Sequence, residues 1–299
     1  MLEQITCPAD LRRLSHDDLG LLSHEIRNFI VETVQENGGH LGSNLGVVEL
    51  TIALHRVFDS PRDIMLWDTG HQAYVHKMLT GRLENFKSLR KAGGLSGYPS
   101  RAESEHDWIE NSHASTALSY AFGIATAQAS DEGEGRRVIA VIGDGALTGG
   151  MAFEGLNNLG HAGSNAIIIL NDNGRSYAPT VSLLSDSLKK LRNNPKYLEQ
   201  QEKLENKVKS LLPSKEVMGL SVERAIDAAK AAVREIWDPT SFFEDLGLRY
   251  NGPFDGHNIE ALEKAFRNAA GFEGPTVIHV LTEKGRGYGP AENDPIKRL

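Results

Sequence analysis

The segment VIAVIGDGALTGGMAFEGLNN, residues 138–158, decides how the chain is organised. It opens with an unbroken apolar run that ends in Gly143-Asp144-Gly145, and apolar residues then recur at helical spacing. A second apolar run follows in NAIIILNDN, residues 165–173. Short runs without polar alternation read as strands covered on both faces, and a strand–helix–strand unit joins parallel strands through a right-handed crossover. The expected fold class is α/β: an open parallel sheet with helices on both faces.

The same reading extends outward. In SHDDLGLLSHEIRNFIVETVQENGG, Leu22, Ile26, Phe29, Ile30 and Val34 share one helical face, and Gly38 and Gly39 end the helix before a glycine-rich loop carrying His40. VVELTIALHRVF is a second helix, and Ile64–Trp67 a short buried strand running into a loop with His71. DWIENSHASTALSYAFGIATAQA predicts a close-packing helix of small residues, capped by Ser112 or Ser115. SFFEDLGLRYNGPFDGHN predicts a strand and a turn, with a helix begun near Asn258; GPTVIHVLTEKGRGYG predicts a last strand ending in glycines. Met151 and Phe153 read as helix core. Residues 183–238, dense in Lys, Glu, Gln and Asn, read as a mobile helical insertion in a single domain spanning 1–299.

In an open parallel sheet the carboxyl ends of the strands share one rim, where ligands bind. Here the predicted strands end in polar residues beside glycine, at 68–71, 143–145, 171–173 and 282–288. An acid where a strand hands over to a helix would repel a phosphate bound there, unless a metal ion lies between them. Asp144 and Asn173 end strands one crossover apart. A carboxylate and a neutral amide oxygen suit Mg²⁺, which takes oxygen ligands in octahedral geometry. The carbonyl of Arg175 is a candidate third ligand, and the N–H groups of Gly145 and Ala146 are candidates for holding a diphosphate. Gly-Asp-Gly alone also suits a plain turn; the Asn-Asp-Asn one helix and one strand later makes the pattern specific. GDGALTGG does not fit the dinucleotide fingerprint, and no G-x-x-x-x-G-K-[ST] occurs. His40 and His71 sit in glycine loops at the rim, whereas His76, His161 and His279 read as structural or surface residues.

Composition narrows the classes. With 299 residues and a net charge of −8, the chain is not built for broad binding to nucleic acid or anionic membrane. One cysteine, Cys7, allows neither an internal disulfide nor a multi-thiolate zinc site, and reads as structural filler. The first residues lack the apolar core of a signal peptide, and no stretch approaches the roughly 20 apolar residues of a membrane span. Reduced cytoplasm is the expected compartment.

WDTGHQAYVHKMLTGR, GGLSGYPSRAESEHD, SHAST, GDGALTGGMAFEGLNN, LNDNGRSYAPTV, GPFDGHN and KGRGYGPAE together resemble the N-terminal domain of the bacterial 1-deoxy-D-xylulose-5-phosphate synthases, over about 5–292. Transketolases share the Gly-Asp-Gly and Asn-rich elements, but not GHQAYVHK combined with GGLSGYPS. The resemblance implies a thiamin-diphosphate-binding fold with thiamin diphosphate and Mg²⁺ as cofactors. It implies Asp144, Asn173 and the Arg175 carbonyl at the metal, and Gly145 and Ala146 at the diphosphate. His71, Ser112, His113, Ala114 and Tyr288 would line the cofactor, with His40 beside the reacting carbons and His40 and His71 handling protons. Many members read Gly-His-Ser where this chain has Ser112-His113-Ala114, so a hydroxyl after the histidine is missing.

The implied reaction condenses pyruvate with D-glyceraldehyde 3-phosphate to 1-deoxy-D-xylulose 5-phosphate and CO₂, a precursor of isoprenoids, thiamin and pyridoxal. Family members are longer homodimeric enzymes, and their pyrimidine and C-terminal domains have no counterpart here. The expectation is a diphosphate-binding domain that is inactive alone. The alternatives are the N-terminal subunit of a two-chain transketolase-like enzyme and a non-catalytic binding module.

Overall fold

A computed structural model describes residues 1–130, 135–174 and 241–294, together with the two-residue strands Glu216–Val217 and Leu220–Ser221, which pair antiparallel. Apart from those strands, the expected insertion at 183–238 lies outside the described residues, and so does Arg175.

The strand–helix–strand unit belongs to a five-stranded sheet. β1 (Ile64–Trp67), β2 (Val138–Gly143), β3 (Ile167–Asp172), β4 (Arg249–Asp255) and β5 (Thr276–Leu281) lie in the order β1-β2-β3-β5-β4, every neighbouring pair parallel. Successive residues feed two separate cores. Val141, Ile169 and Ile278 enter one, and Ala140, Ile168 and Val277 the other. Both faces are thus apolar, which is why these strands show no polar alternation.

Among the described residues, five longer helices cover the sheet: α1 (His16–Asn37), α2 (Val48–Val57), α3 (Ala117–Ser130), α4 (Gly150–Ala162) and α5 (Ile259–Ala270). α1, α2 and α5 pack in the first core, α3 and α4 in the second. α1 starts in a capping box, where Ser15 accepts the N–H of Asp18 and Asp18 reaches back to Ser15; it stops at Gly38, whose φ of 74° a side chain would resist. Its buried face carries Leu22, Ile26, Ile30 and Val34, with Phe29 at the margin. α3 and α4 approach closely: a Cβ on Gly155 would lie 2.7 Å from Cβ of Leu118.

Several local expectations change. Met151 and Phe153 are 53% and 46% exposed, because α4 turns its smaller residues Ala152, Gly155, Leu156 and Leu159 inward. SFFED forms a helical turn, Ser241–Asp245, and the strand begins only at Arg249. His40 does not lie in an open loop; it caps a helical turn, Leu41–Leu45. Cys7 is exposed, at the N-cap of the turn Pro8–Leu11. Asn258 does cap α5, accepting the N–H of Ala261 at 3.0 Å. His76 and His279 are structural: His76 lies buried between His55 and Asp107, and His279 between Tyr250 and Asp172.

Candidate active site

β2 and β3 are neighbours, with Gly143 opposite Asn171, so the residues that follow them leave the sheet side by side. Asp144, 6% exposed, opens the helical turn Asp144–Leu147, and Asn173 follows the end of β3. Both line a cavity of about 430 Å³ at the carboxyl ends of the strands. The same cavity takes His40 to Ser43, Asp68, Thr69, His71 and Gln72 from the tip of β1, Tyr98, Ser112, Ala114, Gly145, Ala146, Asn171, and Lys284 from beyond β5. Of the residues expected from sequence, His113 and Tyr288 lie outside this lining. The His113 ring is exposed and its Nδ1 donates to the Ala114 carbonyl; the Tyr288 hydroxyl accepts from Gln35 at 2.9 Å. Among the described residues, no three His, Cys, Asp or Glu side chains converge as a metal centre. The set expected here has one carboxylate, its other members being neutral oxygens.

Asp68 organises one wall. It is 1% exposed, and its carboxylate accepts the N–H of Ser115 at 2.8 Å and of Ala117 at 3.0 Å. The cap of α3 therefore comes from β1, not from Ser112 or Ser115. Ser115, at φ 74°, instead donates its hydroxyl to the carbonyl of Ala146 at 2.6 Å. These bonds tie together the lining segments after β1, before α3 and after β2.

The His40 and His71 rings meet edge to face, with centroids 5.2 Å apart. Burial, then the charges of His40 and Lys284, lower the pKa of His71 to about 4. Burial, then Arg90 and Lys284, lower that of His40. Both imidazoles are neutral near pH 7, the form that can accept one proton and donate another.

The segment after β5 is anchored from several sides. Gly285 donates to the carbonyl of Gly42 at 2.9 Å, and a Cβ on Gly46 would lie 2.8 Å from the carbonyl oxygen of Glu283. Glu283 donates its N–H to Nε2 of His257 at 2.9 Å, and Nδ1 of that ring donates to Glu49 at 3.0 Å. Glu49 also takes two bonds from Arg27, at 2.7 and 2.6 Å. Burial alone would raise the pKa of Glu49, but the bonds from His257 and Arg27 outweigh it and hold the group at about 2. Lys284, 7% exposed, is thus presented to the cavity by a fixed backbone.

A polar chain crosses the strand tips. Thr282 donates to Oδ1 of Asn171 at 2.5 Å, and Nδ2 of Asn171 donates to Gln72 at 3.0 Å. Nε2 of Gln72 and Nδ1 of His71 are buried without a hydrogen-bond partner. Unmet buried polar atoms beside a cavity of this size suit a bound polar ligand. An acid and an amide at adjacent tips, in a cavity that Gly145 and Ala146 also line, suit a magnesium-bridged diphosphate. The residues present fit thiamin diphosphate with Mg²⁺.

Comparison with known proteins gives a consistent family. A family model described as 1-deoxy-D-xylulose-5-phosphate synthase matches residues 2–282. The synthases of Mycobacterium leprae and Mycobacterium avium are each 55% identical over 299 residues, covering 100% of this chain and 46% of theirs. That of Frankia casuarinae is 54% identical over 294 residues, 98% of this chain and 44% of its own. The chain thus spans about half the length of the curated relatives it matches. Among solved structures, a transketolase from Leishmania mexicana superimposes with a TM-score of 0.64 at 17% identity, over 90% of this chain and 37% of that one. One from Campylobacter jejuni gives 0.63 at 19% identity, over 92% and 39%. At such identities the likeness concerns the fold.

Proposed function

This chain belongs to the 1-deoxy-D-xylulose-5-phosphate synthase family, and from that we propose that it carries the thiamin diphosphate and Mg²⁺ site of a transferase joining pyruvate to D-glyceraldehyde 3-phosphate, with loss of CO₂. The observation that carries the reading is the shared cavity: Asp144 and Asn173 from adjacent strand tips line it together with His40 and His71. In this reading the Asp144 carboxylate, the Asn173 amide oxygen and the Arg175 carbonyl hold Mg²⁺, and the N–H groups of Gly145 and Ala146 bind diphosphate oxygens. Ser112 and Ala114 border the cofactor. His113 and Tyr288, outside the cavity lining, are its least supported contacts.

Thiamin diphosphate, when bound, supplies the electron sink for cleaving a 2-oxo acid and passing on the remaining two carbons. The protein's own share is position and proton handling. Neutral His40 and His71 can give a proton to, and take one from, a substrate oxygen held between them. The Lys284 ammonium favours the anionic groups of both substrates. Cytoplasmic location and a homodimeric parent enzyme belong to the same proposal. Among the described residues, no helix is long and apolar enough to cross a membrane.

Calorimetric titration of the 299-residue chain with thiamin diphosphate tests the reading. Binding is expected only with Mg²⁺ present. No heat in either condition, or equal affinity with and without Mg²⁺, overturns it.

A further inference from the structure

Asn44 is fully buried, and its side-chain amide is used in both directions. Nδ2 donates to the carbonyl of His40 at 2.6 Å and to that of His71 at 2.8 Å, while Oδ1 accepts the N–H of Tyr74 at 3.0 Å. The partners fix the orientation of the amide. Two carbonyls can only accept and a backbone N–H can only donate, so a flipped amide would lose all three bonds. These groups belong to two separate segments: His40 caps the turn after α1, whereas His71 and Tyr74 follow β1.

Tyr74 adds a second tie. Its hydroxyl accepts the N–H of His40 at 3.3 Å, and Gly39, at φ 145°, passes so close that a Cβ there would lie 2.8 Å from that oxygen. The N–H and C=O of His40 and the C=O of His71 are therefore held from behind, while the two rings meet edge to face in front. Asn44 itself is not part of the cavity lining.

We propose that Asn44 is the positioning residue of the site: it sets the spacing of His40 and His71 by clasping their main chains, without touching a ligand. Its importance for turnover rests on the reading of the two histidines as the proton-handling pair. The geometric claim does not, and the test reads geometry alone.

The experiment is a proton NMR titration of the histidine rings in the 299-residue chain, assigned with His40→Gln and His71→Gln. In the parent, His40→Gln raises the midpoint of His71, because the His40 ring disfavours charge on His71. In Asn44→Ser one hydroxyl cannot hold two carbonyls and an N–H. The rings part, the His71 midpoint rises to the value it takes in His40→Gln alone, and adding His40→Gln no longer moves it. Asn44→Asp is the second variant. It keeps the acceptor for Tyr74 but sets a carboxylate against two carbonyl oxygens, and the same loss of coupling is expected. Coupling is a difference between two titrations, so the added charge cancels. Variants that melt at lower temperature yet keep the parental midpoints and coupling overturn the proposal, because Asn44 would then be only a packing residue. No cofactor is needed, so failure of the thiamin diphosphate reading leaves the result interpretable.

Discussion

The carboxylate of Asp68 stands 3.0 Å from the N–H of Ala117, so the residue just past the first strand caps the helix that begins some fifty residues later. A cap supplied from so far away holds the 112–116 segment against the strand tip as well as satisfying the helix. Asp68→Ala would leave the buried N–H groups of Ser115 and Ala117 without an acceptor, at a cost of about 1–3 kcal/mol. Asp68→Asn keeps one acceptor oxygen and should recover part of the loss. Urea unfolding measures both, and an unchanged midpoint in Asp68→Ala would remove this role.

Asp144→Asn replaces the one carboxylate of the expected metal set by an amide. Affinity for thiamin diphosphate should fall at least tenfold, about 1.4 kcal/mol, and its Mg²⁺ dependence should flatten. Calorimetry over a series of Mg²⁺ concentrations separates these effects. A parental Mg²⁺ dependence would tell against Asp144 as a ligand.

Acid should destabilise the fold through its buried histidines. His71 and His106 are each held near 4, mainly by burial, while an unfolded chain's histidine titrates near 6.5. Between those values the unfolded chain binds the protons and the folded one does not, so stability drops as pH falls from about 6.5 to about 4. His55 acts in the same direction. Glu49, held at about 2, works lower: its contribution is present above about 4.5 and disappears towards 2. Melting temperatures between pH 7.5 and 4.5 should decline, and the decline should be shallower in His71→Gln. A flat parental profile would refute the assignment.

Gly46→Ala tests the seam under Lys284. The new Cβ would press on the Glu283 carbonyl, and a backbone atom cannot swing aside as a side-chain tip can. The 283–285 segment must shift, so ligand affinity should fall more than thermal stability does. Equal titration curves for parent and variant would show that Lys284 tolerates the displacement.

The parts of this fold that are legible in the sequence are contiguous ones. Residues 138–173 carry a strand, a helix and a strand in one uninterrupted pattern, and the Asn258 cap is short-range. The polar ends of the strands also read as one rim. Strand order is different. That β5 inserts between β3 and β4, bringing Thr282 onto Asn171, follows from packing that no local pattern records. Asn44 reads as a loop residue because two of its three partners lie at His71 and Tyr74, on another segment. Asp68 reads as a strand end, since the helix it caps begins at Ala117. Met151 and Phe153 mislead because hydrophobicity alone does not bury a side chain; the inner face of this helix carries Ala152 and Gly155.

The seam between Gly42 and Gly285 also bears on how the protein acquires its site. Together with the Gln35–Tyr288 bond, 253 positions long, and the Glu49–His257 bond, 208 long, it closes very large loops. Contacts of such sequence separation form slowly, because the chain entropy is lost before the contact repays it. Helices and the β2–β3 pair can form while the cavity still lacks a wall. During refolding, far-UV circular dichroism should recover ahead of ligand binding, the lag being the time the 282–288 segment takes to dock; simultaneous recovery would mean that the pocket forms with the sheet.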